Sequence, residues 1–100
     1  MTNQVDDNFY NRADGYIALA NEHCLSTGKG KVSASFLYGA ARFNAYVGAI
    51  NSGSLQRMTE EKENIVSYYL KEYEDMLREN LTDYIENYDD YMATPSGGEA

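Results

Sequence analysis

The segment from Ser33 to Asn51 constrains the fold most, because it has the length of a helix and Arg42 is its only charged residue. A helix that is apolar almost all round belongs at the centre of a protein. Large rings in this segment alternate with Gly39, Gly48 and several alanines, which would let neighbouring helices approach closely. The segment therefore predicts a central helix enclosed on all sides, with Arg42 as its ionic tie to a neighbouring helix.

A first helix is predicted over residues 7–25. Asp6 and Asp7 are suitable N-caps, and apolar residues follow them at helical spacing. Gly15 would weaken this helix by up to about 1 kcal/mol relative to alanine, so it predicts the close approach of another helix.

A third helix is predicted over residues 59–92, with Thr59 as its N-cap. Its apolar residues recur every three or four positions, at Val66, Leu70, Tyr73, Leu77, Leu81, Tyr84, Tyr88 and Met92. One unbroken helix of this length would be about 51 Å long, roughly twice the length of each earlier helix. Two alternatives remain open: the helix is kinked or broken near Asn80, or it continues and its far end packs on a second subunit.

These segments predict an all-α fold, an antiparallel bundle of three main helices with the long helix last. Residues 1–93 are expected to form a single helical domain, and residues 94–100, with one proline and two glycines, a flexible tail. Tyr16 and Tyr73 are expected in the core of the bundle.

Charge is distributed unevenly along the chain, whose formal net charge is −8. Residues 59–100 contain twelve acidic and three basic residues, so this part repels the phosphates of nucleic acids. No apolar run is long enough to span a bilayer, and no export signal is evident at the amino terminus. With a single cysteine, Cys24, the chain cannot form an internal disulfide, and a cytoplasmic location is expected.

No catalytic, metal or cofactor site is predicted. His23 and Cys24 are adjacent, but neighbours on a helix point about 100° apart and a structural zinc needs about four ligands. The Glu-x-x-His pairs of a di-iron bundle are absent from the sequence. The carboxylates of the third segment are interpreted as a solvated face.

Arg42 is the first candidate for a binding role, because a guanidinium on an apolar helix must be paired or must reach water. Asp14 could supply a carboxylate, and Asn44 and Asn21 could add hydrogen bonds. An interhelical ion pair is the structural interpretation, and a ligand-binding cluster is the functional one.

Two weaker candidates remain. Lys29, Lys31 and Ser33 surround a predicted helix amino terminus and could hold a small anion, although the surrounding sequence lacks the full spacing of a phosphate-binding loop. Tyr84, Tyr88 and Tyr91 could form a protein interface, or they could fill the bundle.

Several stretches resemble a family of small bacterial proteins that is catalogued only as a domain of unknown function. The resemblance is carried by Phe9-Tyr10, by Ala18 to Asn21, by the run Ala-Ala-Arg-Phe-Asn-Ala at Ala40 to Ala45, and by Met76-Leu77 with the segment from Glu79 to Ile85. It covers most of the chain and implies a short bacterial cytoplasmic protein. It implies nothing about chemistry.

The leading functional hypothesis is a non-catalytic interaction or structural module that uses an acidic, tyrosine-rich helical surface to bind an unknown protein partner, with homodimerisation as an option. The alternative is a small-molecule or anion-binding protein with a pocket near Arg42. A third possibility is that the acidic surface mimics nucleic acid and blocks a basic protein.

Overall fold

The computed structural model describes residues 5–93, and every regular element within that range is a helix. The order is α1 (Phe9–His23), α2 (Lys29–Ser52), α3 (Leu55–Glu86) and α4 (Tyr88–Met92). The predicted all-α class with three long helices is therefore confirmed. None of these helices is long and apolar enough to cross a bilayer. The predicted tail, residues 94–100, lies outside the described residues.

The chain divides into two compact units. One comprises residues 1–37 and 87–100, and the other comprises residues 38–86. The first boundary falls inside α2 and the second falls after the last residue of α3. The expectation of a single domain over residues 1–93 stays a prediction.

The amino end of α1 is fixed by the carboxylate of Asp6. It accepts a hydrogen bond from the backbone N–H of Asn8 at 2.9 Å and an ion pair from the Arg12 guanidinium at 2.8 Å. These hydrogen bonds, above all the one from Arg12, hold the pKa of Asp6 below its usual range, because they stabilise the ionised carboxylate. Asp6 therefore stabilises the turn that precedes α1, but the N-cap is Asn8 and regular helix begins at Phe9, so the prediction of Asp6 and Asp7 as N-caps is wrong.

Helix α2 begins four residues earlier than predicted. The backbone N–H groups of Lys31 and Val32 both donate to the carbonyl of Gly28, at 3.1 Å each, so the helix starts at Lys29. Ser33, the predicted cap, lies inside the helix. The carbonyl of Gly28 accepts the first hydrogen bonds of the helix, so Lys29 and Lys31 lie inside its first turn and not before it.

The connection between α2 and α3 is only two residues long. Gly53 has a φ of +81°, which glycine adopts without steric cost. The Ser54 hydroxyl accepts a hydrogen bond from the N–H of Arg57 at 3.2 Å, so Ser54 is the N-cap of α3. Thr59, the predicted cap, lies within the helix and donates its hydroxyl to the carbonyl of Leu55 at 2.8 Å.

Helix α3 is continuous over 32 residues and does not break near Asn80. The Asn80 side chain donates to the carbonyl of Met76 at 2.8 Å, one turn earlier, so this weak helix former is accommodated without interrupting the helix. The regular helix ends at Glu86, and α4 follows after Asn87. The break expected near Asn80 is therefore wrong, and the segment predicted over residues 59–92 is instead divided at Asn87; packing of its far end on a second subunit stays a prediction.

Within the unit of residues 38–86, α2 and α3 are in contact at Gly48. A Cβ atom added there would lie 3.5 Å from Cδ1 of Ile65, and Gly48 is buried. At Gly15 a Cβ would meet no atom within 4 Å, so the close approach expected there is wrong. The absence of a side chain matters at Gly48 because a larger residue would have to displace the Ile65 side chain.

The prediction that α2 is enclosed on all sides is also wrong. Phe43, Tyr46 and Ile50 are 63%, 59% and 63% exposed. Among the described apolar side chains of the whole chain, Val32 is the only buried one. In the unit of residues 38–86 a single helix packs on α2, and one helix covers only one face of another. Tyr16 of α1, in the other unit, is 61% exposed, so its predicted core position is wrong as well.

Replacement of Gly48 tests this contact. Gly48→Leu is expected to lower the free energy of unfolding by about 1–3 kcal/mol, because its side chain would overpack against Ile65. Gly39→Leu is the matched control, since a Cβ at Gly39 meets nothing within 4 Å and a helix-favouring residue there should be neutral or stabilising. Urea unfolding followed by circular dichroism measures both; equal losses would show that Gly48 is not a close contact.

Candidate interaction surface

Successive side chains of α3 are rotated by about 100° around the helix axis. Side chains three, four or seven positions apart therefore lie on the same side and form a line along the helix. One line faces the interior of its unit: Met58, Ile65 and Tyr69 are each half-buried. Ile65 is the residue that approaches Gly48 of α2. We call this line the packed face.

A second, longer line is exposed. Its central residues form what we call the open stripe, Val66, Leu70, Tyr73, Leu77 and Leu81, which are 42%, 66%, 50%, 42% and 53% exposed. The core position expected for Tyr73 is therefore wrong. The short connector and the contact at Gly48 turn the neighbouring packed face toward α2, which leaves the open stripe without a covering helix in this unit.

A third line lies on the side of α3 opposite to the open stripe. We call it the acidic face, and its members are Glu61, Tyr68, Glu72, Glu79 and Glu86. At about 100° per residue these side chains fall within about 40° of one another and about 140–180° from the middle of the open stripe. Glu79 and Glu86 are exposed and form no ion pair within residues 5–93.

The lysine and arginine of the middle of α3 are occupied within the helix. Lys71 pairs with Asp75 at 3.0 Å, and Arg78 pairs with Glu74 at 2.8 Å, each four residues apart. Such exposed pairs contribute little stability, because water and salt screen the charges. These pairs use two of the four basic residues of α3, and within residues 5–93 neither Lys71 nor Arg78 forms an ion pair with Glu79 or Glu86.

Tyr68 is the aromatic residue of the acidic face. Its ring packs edge-on against that of Tyr69, with ring centres 5.1 Å apart. Desolvation raises the pKa of the Tyr68 hydroxyl above its usual 10.0, and the negative charge of Glu72 raises it further. The hydroxyl is therefore a neutral hydrogen-bonding group at physiological pH, set among carboxylates.

A cleft of about 420 Å³ lies beside this face, within the same unit. Polar side chains at its wall include Asn51 and Ser52 of α2 and Arg57, Glu61 and Asn64 of α3. Arg42, around which a pocket was expected, is not part of this wall. Sequence reasoning missed Arg57 because it lies before the predicted start of the third helix, and it missed Asn64 because this residue is uncharged and lies outside the predicted apolar line.

The residues predicted to cluster around Arg42 are divided between the two units. Arg42 and Asn44 lie in the unit of residues 38–86, and Asp14 and Asn21 lie in the other. Arg42 is exposed, and its guanidinium forms no ion pair with any residue between 5 and 93. Asn21 and Asn44 are half-buried. A ligand-binding role for these four residues stays a prediction.

The two other candidate groups lie at the start of α2 and at the junction of α3 with α4. Lys29, Lys31 and Ser33 are all exposed in the first turns of α2. Tyr84 is half-buried near the end of α3, whereas Tyr88 and Tyr91 lie in α4 and are exposed. Their roles in anion binding and in a protein interface remain predictions.

Across the described part of the chain, no three His, Cys, Asp or Glu side chains are grouped so that they could hold a metal ion. His23 is exposed and Cys24 is half-buried. Helix α3 instead has two faces of distinct chemistry, the apolar open stripe and the acidic face.

The fold and these faces define a small helical protein, and the comparisons with known proteins place it in a family. The chain belongs to the family described as "Protein of unknown function (DUF3144)", whose profile matches residues 9–85. A solved relative is the protein NB7890A from Shewanella sp, determined by NMR, which is 40% identical. The match covers 89% of this chain and 95% of that one, with a TM-score of 0.72. No curated protein matches the chain.

The environment of Tyr68 can be tested by replacing Glu72. In Glu72→Gln the pKa of Tyr68 should fall toward 10.0 but remain above it, because desolvation is the larger cause and is unchanged. A folded-state pKa above the unfolded value stabilises the fold up to about pH 10, and this contribution is lost as pH rises through the folded pKa. NMR titration of carbon-labelled tyrosine measures the pKa, with Glu63→Gln as the control. A fall of equal size in that control would contradict the assignment.

Proposed function

We propose that this chain is a non-catalytic module that binds a basic protein through the acidic face of α3. The observation that supports this most directly is that Glu79 and Glu86 are exposed and form no ion pair within residues 5–93, while the basic residues beside them are used inside the helix. An uncompensated line of carboxylates attracts a positively charged surface and increases its association rate.

The amount of charge supports the same partner class. Helix α3 carries nine acidic and four basic residues, a net charge of −5, and the whole chain carries −8. This sign disfavours binding to nucleic acids, whose phosphates need lysine and arginine. A protein that itself binds nucleic acid has the required basic surface. In its most specific form, the proposal is that the acidic face binds such a protein by mimicking the charge of its nucleic acid.

Tyrosine gives the acidic face an apolar component. Tyr68 offers a large ring with few torsions to freeze and a neutral hydroxyl, which suits a protein contact. Tyr84, Tyr88 and Tyr91 remain further candidates for contact with the partner. We place this interaction in the bacterial cytoplasm, a setting supported by the relative from Shewanella sp and by the lone thiol of Cys24.

The second candidate function is binding of a small molecule or anion near Arg42. It is favoured by the exposed guanidinium of Arg42, which has no carboxylate partner within residues 5–93. A rise in Tm with one of a panel of anions and metabolites, lost in Arg42→Gln, would support it. Lys29, Lys31 and Ser33 can be tested by the same panel.

The proposed function predicts a salt-sensitive partner. A protein captured by the immobilised wild-type chain from a native bacterial lysate should be released between about 0.05 and 0.5 M NaCl, because salt screens exposed charges. The double variant Glu79→Gln/Glu86→Gln should retain several-fold less of that protein, since it removes two charges from the acidic face.

The matched control is Glu60→Gln/Glu63→Gln, which removes the same charge from another side of α3 and should retain the partner. Circular dichroism verifies that both variants keep their helix content. If both variants lose the same amount of captured partner, binding depends only on net charge, and a specific role for the acidic face is contradicted. Retention that is indifferent to salt would contradict the electrostatic proposal altogether.

A further inference from the structure

We propose that the open stripe of α3 is the interface of a homodimer, in which it packs against the same stripe of a second copy of this chain. This inference is independent of the proposed function, because the open stripe and the acidic face lie on opposite sides of α3. A protein with this stripe covered would still present the acidic face to solvent.

The stripe has the spacing of a helix–helix seam. Its five residues, Val66, Leu70, Tyr73, Leu77 and Leu81, are separated by four, three, four and four positions, and they extend over about 22 Å of helix. All five are at least 42% exposed, although they include three leucines. A contiguous apolar patch of this kind on a folded chain marks an interaction site.

The accessible area of the chain indicates how much surface a partner must cover. The chain exposes 8278 Å², whereas a folded monomer of 11.3 kDa is expected to expose about 5,700 Å². The excess is about 2,600 Å², and about 1,400 Å² of it remains when the eleven residues outside the described range are assigned the full area of an extended chain and left out of both totals. Stable dimers bury about 800 Å² or more per partner, so the excess is sufficient for one.

Charges around the stripe permit a second copy to approach. Lys62 lies at one edge, Glu63 and Glu74 lie at the other, and Glu74 is already neutralised by Arg78 at 2.8 Å. The uncompensated carboxylates of Glu79 and Glu86 point away from the stripe and would stay in water. A stripe paired with its own copy also needs no partner of different shape, since a twofold interface uses the same patch twice.

The two kinds of association respond to salt in opposite directions. Two chains that each carry −8 repel one another, so screening by salt should strengthen a dimer held by apolar contact. Binding of a basic partner to the acidic face should instead weaken as salt rises. Salt dependence therefore separates a failure of the dimer from a failure of the proposed function.

The experiment is sedimentation equilibrium of the full chain over a range of concentrations, at about 0.05 and 0.5 M NaCl. The wild type should reach twice 11.3 kDa, with a lower dissociation constant at the higher salt. Leu70→Glu/Leu77→Glu should raise that constant at least about a hundredfold, because each change places a charge in the centre of the interface. Ser67→Glu/Thr82→Glu adds the same charge at exposed positions outside the stripe and should remain dimeric.

A wild-type chain that stays at 11.3 kDa at both salt concentrations would overturn the inference, and so would a stripe variant that dimerises as well as the control. The milder variant Leu70→Ala/Leu77→Ala guards against loss of folding: it should keep its helix content by circular dichroism and still dimerise at least about tenfold more weakly. If it dimerises as the wild type does, the interface lies elsewhere and the inference is wrong.

Discussion

The arrangement of the unit of residues 38–86 depends on one close approach, where α3 lies against Gly48 of α2. A two-residue connector brings the helices together, since Gly53 adopts a backbone conformation that suits glycine and Ser54 caps the next helix at once. With so short a connection, the rotation of α3 about its own axis is restricted. The contact with Ile65 then decides which line of α3 faces α2, and the open stripe is left exposed.

This selection explains where sequence reasoning succeeded and where it failed. Helix content, three long helices and the continuity of α3 follow from apolar spacing, because that spacing is a local property of the chain. The choice between the packed face and the open stripe is not local. Both lines have helical periodicity, and Val66, Leu70 and Leu77 look more like a core than Met58, Ile65 and Tyr69 do. The contact between Gly48 of α2 and Ile65 of α3, which are distant in the sequence, decides which of the two lines packs on α2.

Helix ends were missed for a related reason. Ser33 and Thr59 are good caps by residue type, yet Gly28 and Ser54 are used, because a helix begins where the backbone first finds partners and not at the strongest capping residue. The shift of about one turn at the start of α3 hid the alignment of Arg57 with Asn64 along the cleft. The sequence predicted that the third segment is acidic. It did not predict that α3 has the open stripe on one side and the acidic face on the other, because that requires knowing which side of α3 packs on α2.

The opposition of the open stripe and the acidic face has a consequence for valency. A twofold pair joined along the stripe would turn both acidic faces outward, so that one particle offers two equivalent docking sites. A basic target with two matching patches would then bind by both arms, and its second contact would profit from a high effective concentration. Avidity of this kind would let individually weak electrostatic contacts, each easily screened, add up to long-lived attachment.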